Sequence, residues 1–448
     1  MLSLTQNYLT RGFWGDEAWT SLISQLPYLQ MLKTTAADFH PPAYYSVIEL
    51  VYKFLPPTEI VTRSVSIVFY FLTLFLVFKL ASEIKGKLFG LISTVVVALN
   101  PIFFTYAFEA RNYTMFAFAA TGSIYFLIKL SEAFNKWRAL GFVIFSTLGI
   151  YTHYYMFFTL AAQSFYLVLF DRKILLRMVG LYMAVGILYL PWVPFLYNQL
   201  TSVKESYWIG AIDKRTHYEA FLRILGGEHQ NIFRPILFFL SLGLLTLGIL
   251  QHILRHTSTG SVVKPHFEKP YLLIWVWAIV PFVLASLPGL KIAEVSLPFR
   301  PIFFWRYLIN ASVPLVMVMV HTSQKLNKMV FALIISTIVV LSAAIDVLNL
   351  GRYPYTFRQV YQQKVLPEIN DGDKLVTVLP SFAEVLYYRN RFSLENELVV
   401  LPEGIVTFSG KSLLDAYVEN GVVKISDKID GRYFEMTPGQ NLEIKNDK

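Results

Sequence analysis

Ser64-Val65-Ser66-Ile67-Val68-Phe69-Tyr70-Phe71-Leu72-Thr73-Leu74-Phe75-Leu76-Val77-Phe78-Lys79-Leu80 is a run of almost unbroken apolar side chains with one charge near its end. A helix of this length comes close to crossing a hydrocarbon core of about 30 Å. Similar runs recur at 88–106, 113–130, 138–153, 155–170, 177–195, 232–253, 271–287, 307–322 and 329–347, ten candidate spans in all. The composition agrees, since 55% of the 448 residues are hydrophobic, 16% aromatic and only 15% charged. These values lie outside the range of soluble domains and define a polytopic α-helical membrane protein.

The net charge of +9 does not point to nucleic acid. Residues 351–448 carry slightly more acidic than basic side chains, so the excess belongs to the membrane part. There the short connections alternate in character. Lys79, Lys85 and Lys87, then Lys129, Lys136 and Arg138, then Arg172, Lys173 and Arg177, then Arg255, Lys264 and Lys269, and finally Lys325 and Lys328 mark one set of loops as cytoplasmic. The opposite set comprises the N-terminal 60 residues, the Glu109 to Asn112 turn, the Thr152-His153-Tyr154 turn, residues 196–231 and 288–306, and the tail. All of these are expected outside. An outer N-terminus with no sorting signal before Asp16 leads to the expectation of a further span ahead of Met1, making eleven. The chain has no cysteine, which removes disulfide and thiolate chemistry.

Three regions follow: an outer first loop over 1–62, a helical membrane domain over 63–349, and a small α/β domain over 350–448. In the tail the pattern predicts a helix at Thr356 to Ile369, a turn at Asp371-Gly372-Asp373, a strand at Lys374 to Leu379 and a helix at Ser381 to Arg389. Leu398 to Leu401, Gly421 to Ile425 and Arg432 to Met436 read as strands. Nothing there matches a nucleotide-binding loop or a nucleophile elbow.

The polar groups most out of place gather in the outer set. Asp16 and Glu17 lie between Trp14 and Trp19, followed by His40-Pro41-Pro42, where proline stiffens the chain ahead of a helix expected at Ala43 to Phe54. Adjacent residues on a helix point in different directions, so Asp16 and Glu17 are not expected to share one role. Acidic residues between tryptophans also suit the cap of an interfacial helix. Glu109, Arg111 and Tyr113 fall in one outer turn and His153 in the next, while Arg306 sits in Trp305-Arg306-Tyr307. An arginine there either snorkels among interfacial aromatics or binds an anion through its fixed fork of donors. A lone histidine such as His153 is more often a hydrogen-bonded packing residue than a catalyst. His252 and His256 have i, i+4 spacing but no carboxylate between them and lie on the cytoplasmic side, so they read as solvated.

The order Asp16-Glu17, His40-Pro41-Pro42-Ala43-Tyr44-Tyr45, Glu109-Ala110-Arg111-Asn112-Tyr113, Thr152-His153-Tyr154 and Phe304-Trp305-Arg306-Tyr307-Leu308 resembles the family 39-like glycosyltransferases. These are multi-spanning enzymes of the C-type (GT-C) fold, relatives of protein O-mannosyltransferases and of the lipid A aminoarabinose transferase. The resemblance covers roughly residues 10 to 350 and rests on the order of individually short motifs. It implies a glycosyltransferase of the inner or plasma membrane that moves a hexosyl or pentosyl group from a polyprenyl-phosphate sugar donor to a lipid, glycan or protein acceptor. Transfer would occur outside the cytoplasm with inversion, and an acidic residue of the first outer loop would be essential.

Under that resemblance Asp16 is the candidate base for the acceptor hydroxyl, with Glu17 and Glu109 as the next carboxylates. Arg111 and Arg306 are candidate ligands of the donor phosphate, and His40, Tyr113 and His153 complete the expected substrate-binding set. No cofactor is required by these motifs, and a divalent metal stays open. A lipid-linked sugar flippase is the rival reading. It would favour polar or broken helices near mid-membrane, whereas the unusual polar groups here collect on one face.

Overall fold

The computed structural model describes residues 8–206, 209, 212–257, 269–289, 291–292, 295–296, 301–403, 405 and 410–447. Parts of the outer loops expected at 196–231 and 288–306 therefore lie outside the described residues, as do the side chains of His252 and His256. Each of the ten apolar runs falls on helix. Among the described residues five helices are long and apolar enough to cross a membrane: Glu59–Lys85, Tyr113–Glu132, Arg172–Thr201, Arg234–Gln251 and Lys328–Leu350. Met156–Phe170 and Pro270–Ser286 are shorter apolar helices.

The run expected as one span over 88–106 is broken. Helix Lys87–Ala98 and helix Pro101–Ala107 meet at 67°. The cause is local: Pro101 disfavours helix at the residue before it, and the Asn100 side chain accepts from Phe103 N–H to start a new helix. The run at 307–322 is divided too, into a 3₁₀ segment Trp305–Ala311 and a short helix Ser312–Ser323. A few other helices begin on side-chain caps, such as Thr58, whose hydroxyl accepts from Val61 N–H ahead of the 27-residue helix Glu59–Lys85.

That helix is about 40 Å long at 1.5 Å per residue and separates two kinds of surroundings. At its far end Glu83 pairs with Lys129, which also holds Glu132, and Arg138 lies beside Glu132, so basic loops of the first set meet one another. At its near end Arg63 is wholly buried under the first loop. The first loop itself is three short helices, Gly15–Ile23, Tyr28–Ala36 and Ala43–Tyr52.

The tail forms a five-stranded sheet in the spatial order Val423–Ile425, Leu398–Val400, Lys374–Thr377, Gly431–Thr437 and Asn441–Asp447. The first four strands are parallel, and the last pairs antiparallel with Gly431–Thr437. Helices Leu379–Arg391 and Lys411–Glu419 accompany the sheet. The second of these, and the strand Asn441–Asp447, have no counterpart in the sequence expectations. The helix expected over Thr356 to Ile369 is a short Phe357–Val360 turn, started by a reciprocal Thr356–Gln359 cap and finished by a π turn over Tyr361–Val365.

The first loop and the tail, read from sequence as separate regions, share one hydrophobic core. Phe13, Leu22, Ile23 and Tyr44 from one end are buried with Tyr361, Phe382, Leu386, Tyr388 and Leu413 from the other. Each such side chain contributes about 1.5–3 kcal/mol of burial. Tyr388 Oη accepts from Phe13 N–H at 2.7 Å and Tyr417 donates to Leu22 O at 3.0 Å. Gly12 passes so close to the tail that a Cβ there would stand 2.0 Å from Thr356 Oγ1, which is why this position carries no side chain.

Under this core lies a buried ion pair. Glu17 Oε1 accepts from Arg63 Nε at 2.8 Å and Oε2 from Nη2 at 2.6 Å, and both side chains are fully buried. Arg63 spends its remaining donors on the carbonyls of Leu9, Arg11 and Gly12, while Ala110 N–H donates to Glu17 Oε1 at 2.9 Å. Removing one partner of such a pair strands a charge in the interior, at a cost of about 3–5 kcal/mol. Glu17→Ala is expected to lower the folded yield and melting temperature of the purified protein sharply. Asp16→Ala, next to it but open to solvent, should leave both near wild type; equal melting of the two variants would contradict this division.

Candidate active site

The acidic helix Gly15–Ile23 places its two carboxylates on different sides, as neighbouring helical positions require. Glu17 turns inward to Arg63. Asp16 turns outward, with 44% of its side chain exposed, into a cavity of about 360 Å³. From the sequence candidates this cavity collects Asp16, His40, Arg111, Tyr113 and Arg306. Trp14, Trp19 and Asp38 of the first loop and Phe304 and Tyr307 of the late motif complete the membrane side. The opposite wall is supplied by the tail, through Leu379, Pro380, Phe382 and Ala383 at the start of its first helix.

Two guanidinium groups bracket the Asp16 carboxylate. Arg111 Nη2 is 3.8 Å and Arg306 Nη1 4.0 Å from Asp16 Oδ2, both longer than a hydrogen bond. Arg111 is buried, and its Nη1 is 3.5 Å from Asp16 O and from Thr20 Oγ1. Its Nη2 lies 3.2 Å from His40 Nε2, and His40 Nδ1 lies 3.2 Å from Asp38 Oδ2. Arg306 is stacked among aromatics, 5.0 Å from the Trp14 ring centroid and 5.3 Å from that of Trp305, with Glu228 Oε1 3.8 Å from its Nη2. Such rings hold a cation in place without neutralising it.

Glu109 faces a second, adjoining cavity of about 180 Å³, which shares Trp14 and Arg306 with the first and is otherwise lined by Arg11, Gly12, Glu228, His229 and Pro354. Arg11 Nη2 is 3.6 Å from Glu109 Oε1, and among the described residues Oε2 has no hydrogen-bond partner. Burial pushes the Glu109 carboxyl up to about 8 against the pull of Arg11. In contrast, the charge and two hydrogen bonds of Arg63 overcome burial and hold Glu17 below the usual carboxylate range.

The structure therefore brings Asp16, His40, Arg111, Tyr113 and Arg306 together, sets Glu109 in the adjoining cavity, and keeps Glu17 out of both. His153 lies outside both cavities as well. Its ring stacks on Phe116 at 4.9 Å and meets Tyr307 edge-on at 5.0 Å, while its Nδ1 accepts from Tyr155 N–H. Among the described residues no three His, Cys, Asp or Glu side chains are grouped to hold a divalent metal.

Sequence reasoning missed Asp38, Glu228, Trp14 and Tyr307 as lining residues, although the first three fall in loops of the outer set and Tyr307 begins the span that follows one. It also missed Glu384. This residue follows the lining residues Phe382 and Ala383, and its Oε2 is 3.8 Å from where a Cβ would project from Gly15. Burial, and then the charge of Asp16, push its carboxyl up to about 8.

The fold defined by these elements is that of membrane glycosyltransferases of the GT-C class. ArnT from Cupriavidus metallidurans, in the apo state and bound to undecaprenyl phosphate, superposes with a TM-score of 0.63 at 13% identity, over 96% of this chain and 90% of that one. The Archaeoglobus fulgidus oligosaccharyltransferase in its apo form gives a TM-score of 0.54 at 12% identity, over 99% of this chain and 72% of that one. The same archaeal enzyme, AglB, in complex with an inhibitory peptide and a dolichol-phosphate, gives 0.52. In sequence, residues 39–197 match the family model described as dolichyl-phosphate-mannose-protein mannosyltransferase. That stretch contains His40, Glu109, Arg111, Tyr113 and His153, in agreement with the resemblance carried by the motifs. No curated protein sequence matches the chain.

The elevated Glu384 gives a pH test with a definite sign. A carboxyl raised from 4.5 to about 8 favours the folded state while protonated, so its contribution is complete at low pH and is lost as pH rises towards 8. Glu384→Gln removes that loss. Its stability advantage over wild type is expected to grow between pH about 4.5 and 8, to at most about 5 kcal/mol, and then to level off. Thermal melts of both proteins across that range check it, and a constant difference would contradict it.

Proposed function

We propose that the protein transfers a sugar from a polyprenyl-phosphate carrier to an acceptor hydroxyl, outside the cytoplasm, by a single inverting displacement. The observation that carries this reading is the pair of arginines bracketing one exposed carboxylate in a cavity with aromatic walls. The acceptor oxygen attacks the anomeric carbon while the bond from that carbon to the phosphate oxygen breaks, its electron pair leaving with the lipid phosphate. Asp16 takes the hydroxyl proton, and Arg111 and Arg306 stabilise the phosphate through charge-assisted hydrogen bonds. One carboxylate suffices, because a single displacement forms no glycosyl-enzyme intermediate.

The relatives in fold support the donor class, since one is bound to undecaprenyl phosphate and another to a dolichol-phosphate. The matched family description adds a mannosyltransferase-like donor sugar as the first to test, and lipid, glycan and protein remain the acceptor classes. Basic loops on the other set of connections support an outer position for the cavity and the tail, in an inner or plasma membrane. Glu109 and Glu228, in the adjoining cavity, are placed to hold hydroxyl groups of the sugar or the acceptor.

The test separates base from binding. Asp16→Asn keeps size and hydrogen-bonding capacity but cannot accept the proton, so transfer from a polyprenyl-phosphate sugar should fall by a factor on the order of 10² or more. Binding of the donor lipid should change little. Arg111→Ala should instead weaken donor binding, because the phosphate loses a charged partner. Near-normal turnover by Asp16→Asn would remove it from the role of base. Movement of intact lipid-linked sugar without transfer would favour the flippase reading.

A further inference from the structure

Asp38 belongs to none of the motifs read from the sequence, yet it ends a chain of polar contacts that leads through the half-buried His40 to Arg111. It lies between helices Tyr28–Ala36 and Ala43–Tyr52, buried, with Oδ2 3.2 Å from His40 Nδ1. The other ring nitrogen, Nε2, is 3.2 Å from Arg111 Nη2. A guanidinium carries only N–H donors, so His40 Nε2 must offer a lone pair to it. The single ring proton then sits on Nδ1 and is donated to the Asp38 carboxylate. The other tautomer would set N–H against N–H at Arg111 and lone pair against carboxylate at Asp38.

The ring has little freedom to escape this choice. It packs against Trp19, with centroids 6.1 Å apart, and edge-on to Tyr45 at 6.5 Å, and Pro41 and Pro42 follow in the chain. Asp38 thus stabilises the tautomer that Arg111 requires, and the ring held in that state fixes one end of the guanidinium. The other end, Nη1, is directed at Asp16 O and Thr20 Oγ1. The planar Arg111 group is held at both ends where it lines the cavity.

We propose that Asp38 is a positioning residue that acts through the His40 tautomer to hold Arg111 in the orientation that receives a phosphate. Its link to phosphate rests on the donor-site reading above; its link to His40 and Arg111 does not. Asp38 stands in the cavity wall with its Oδ2 turned to His40, so its removal should appear more in donor affinity, through Arg111, than in turnover. Partners that orient a ligand-binding side chain from behind typically account for 10–100-fold in affinity.

The test uses the full chain in detergent or a lipid nanodisc, with undecaprenyl phosphate as probe. In wild type, ¹⁵N spectra of histidine-labelled protein should show the His40 proton on Nδ1; a proton on Nε2 would overturn the proposal without any substitution at Asp38. Asp38→Asn replaces the carboxylate by a weaker amide acceptor that can also turn an N–H towards Nδ1, so the preference for the Nδ1–H tautomer should weaken and the Kd for undecaprenyl phosphate should rise about tenfold or more. At saturating donor, the fall in kcat should be smaller than the rise in Kd. His40→Ala should show a similar loss, and the double variant should bind no worse than His40→Ala alone, because both remove one linkage. Additive losses, or an unchanged Kd in Asp38→Asn, would overturn the proposal. Failure of wild type itself to bind the lipid phosphate would instead strike the donor reading, while the tautomer measurement would still decide whether Asp38 controls His40.

Discussion

The arrangement depends on the buried pair of Glu17 and Arg63. Arg63 comes from the first long helix, Glu17 from the acidic helix, and the carbonyls of Leu9, Arg11 and Gly12 from the chain leading into it. A fourth element joins through Ala110 N–H, which fixes the turn next to Arg111. Desolvating two charges is expensive, and here nearly every donor and acceptor of the pair is used, the condition under which such a pair holds one geometry. Asp16 and Arg111 are each the immediate neighbour of a residue in this cluster. Their positions in the cavity follow from a contact in which neither takes part.

What the pair makes possible is a charge layout that would not assemble by chance. Arg111 and Arg306 both point at Asp16 from distances that leave room between them. Asp38 is engaged with His40, and Glu228 with Tyr106 as well as Arg306, so neither is free to cancel the two guanidiniums fully. Aromatic rings around Arg306 and the apolar wall from Leu379 to Ala383 keep the local dielectric low. In such surroundings fixed donors act on a developing phosphate charge more strongly than they would in water.

Much of this was legible in sequence, and the limits have identifiable causes. Apolar runs marked the helices because burial in lipid leaves a long, composition-level signal, and the alternation of basic loops grouped Asp16, Arg111 and Arg306 on one side. The break at Asn100-Pro101 was also written locally, but the hydrophobicity that runs through it masked the cap. Helix geometry separated Asp16 from Glu17, but that Glu17 is the buried structural one required knowing where Arg63 lies, 46 residues on, which periodicity does not give. Asp38 precedes His40 by only two residues, yet its meaning comes from Arg111 on the far side of the ring. Glu384 was hidden differently: its helix was expected, but the docking of the tail against the acidic helix joins residues more than 300 positions apart.

That docking gives the tail a place in the site itself. Among the described residues there are two large cores, one within the helical bundle and one shared by the first loop and the tail, and a small third cluster around Val376, Val399, Ile429 and Tyr433 in the tail. The larger cavity lies along the seam between the two large cores, with Tyr113 and Tyr307 on the bundle side and Trp19, Leu379 and Phe382 on the other. A ligand in the seam touches elements that the chain supplies at its beginning, middle and end, so the cavity exists only when both cores are formed and docked. The membrane side contributes nearly all of the charge and the tail mainly shape. In the proposed reaction, the donor phosphate would then be read by fixed charges, and the acceptor by the contour of a wall that can vary without disturbing them.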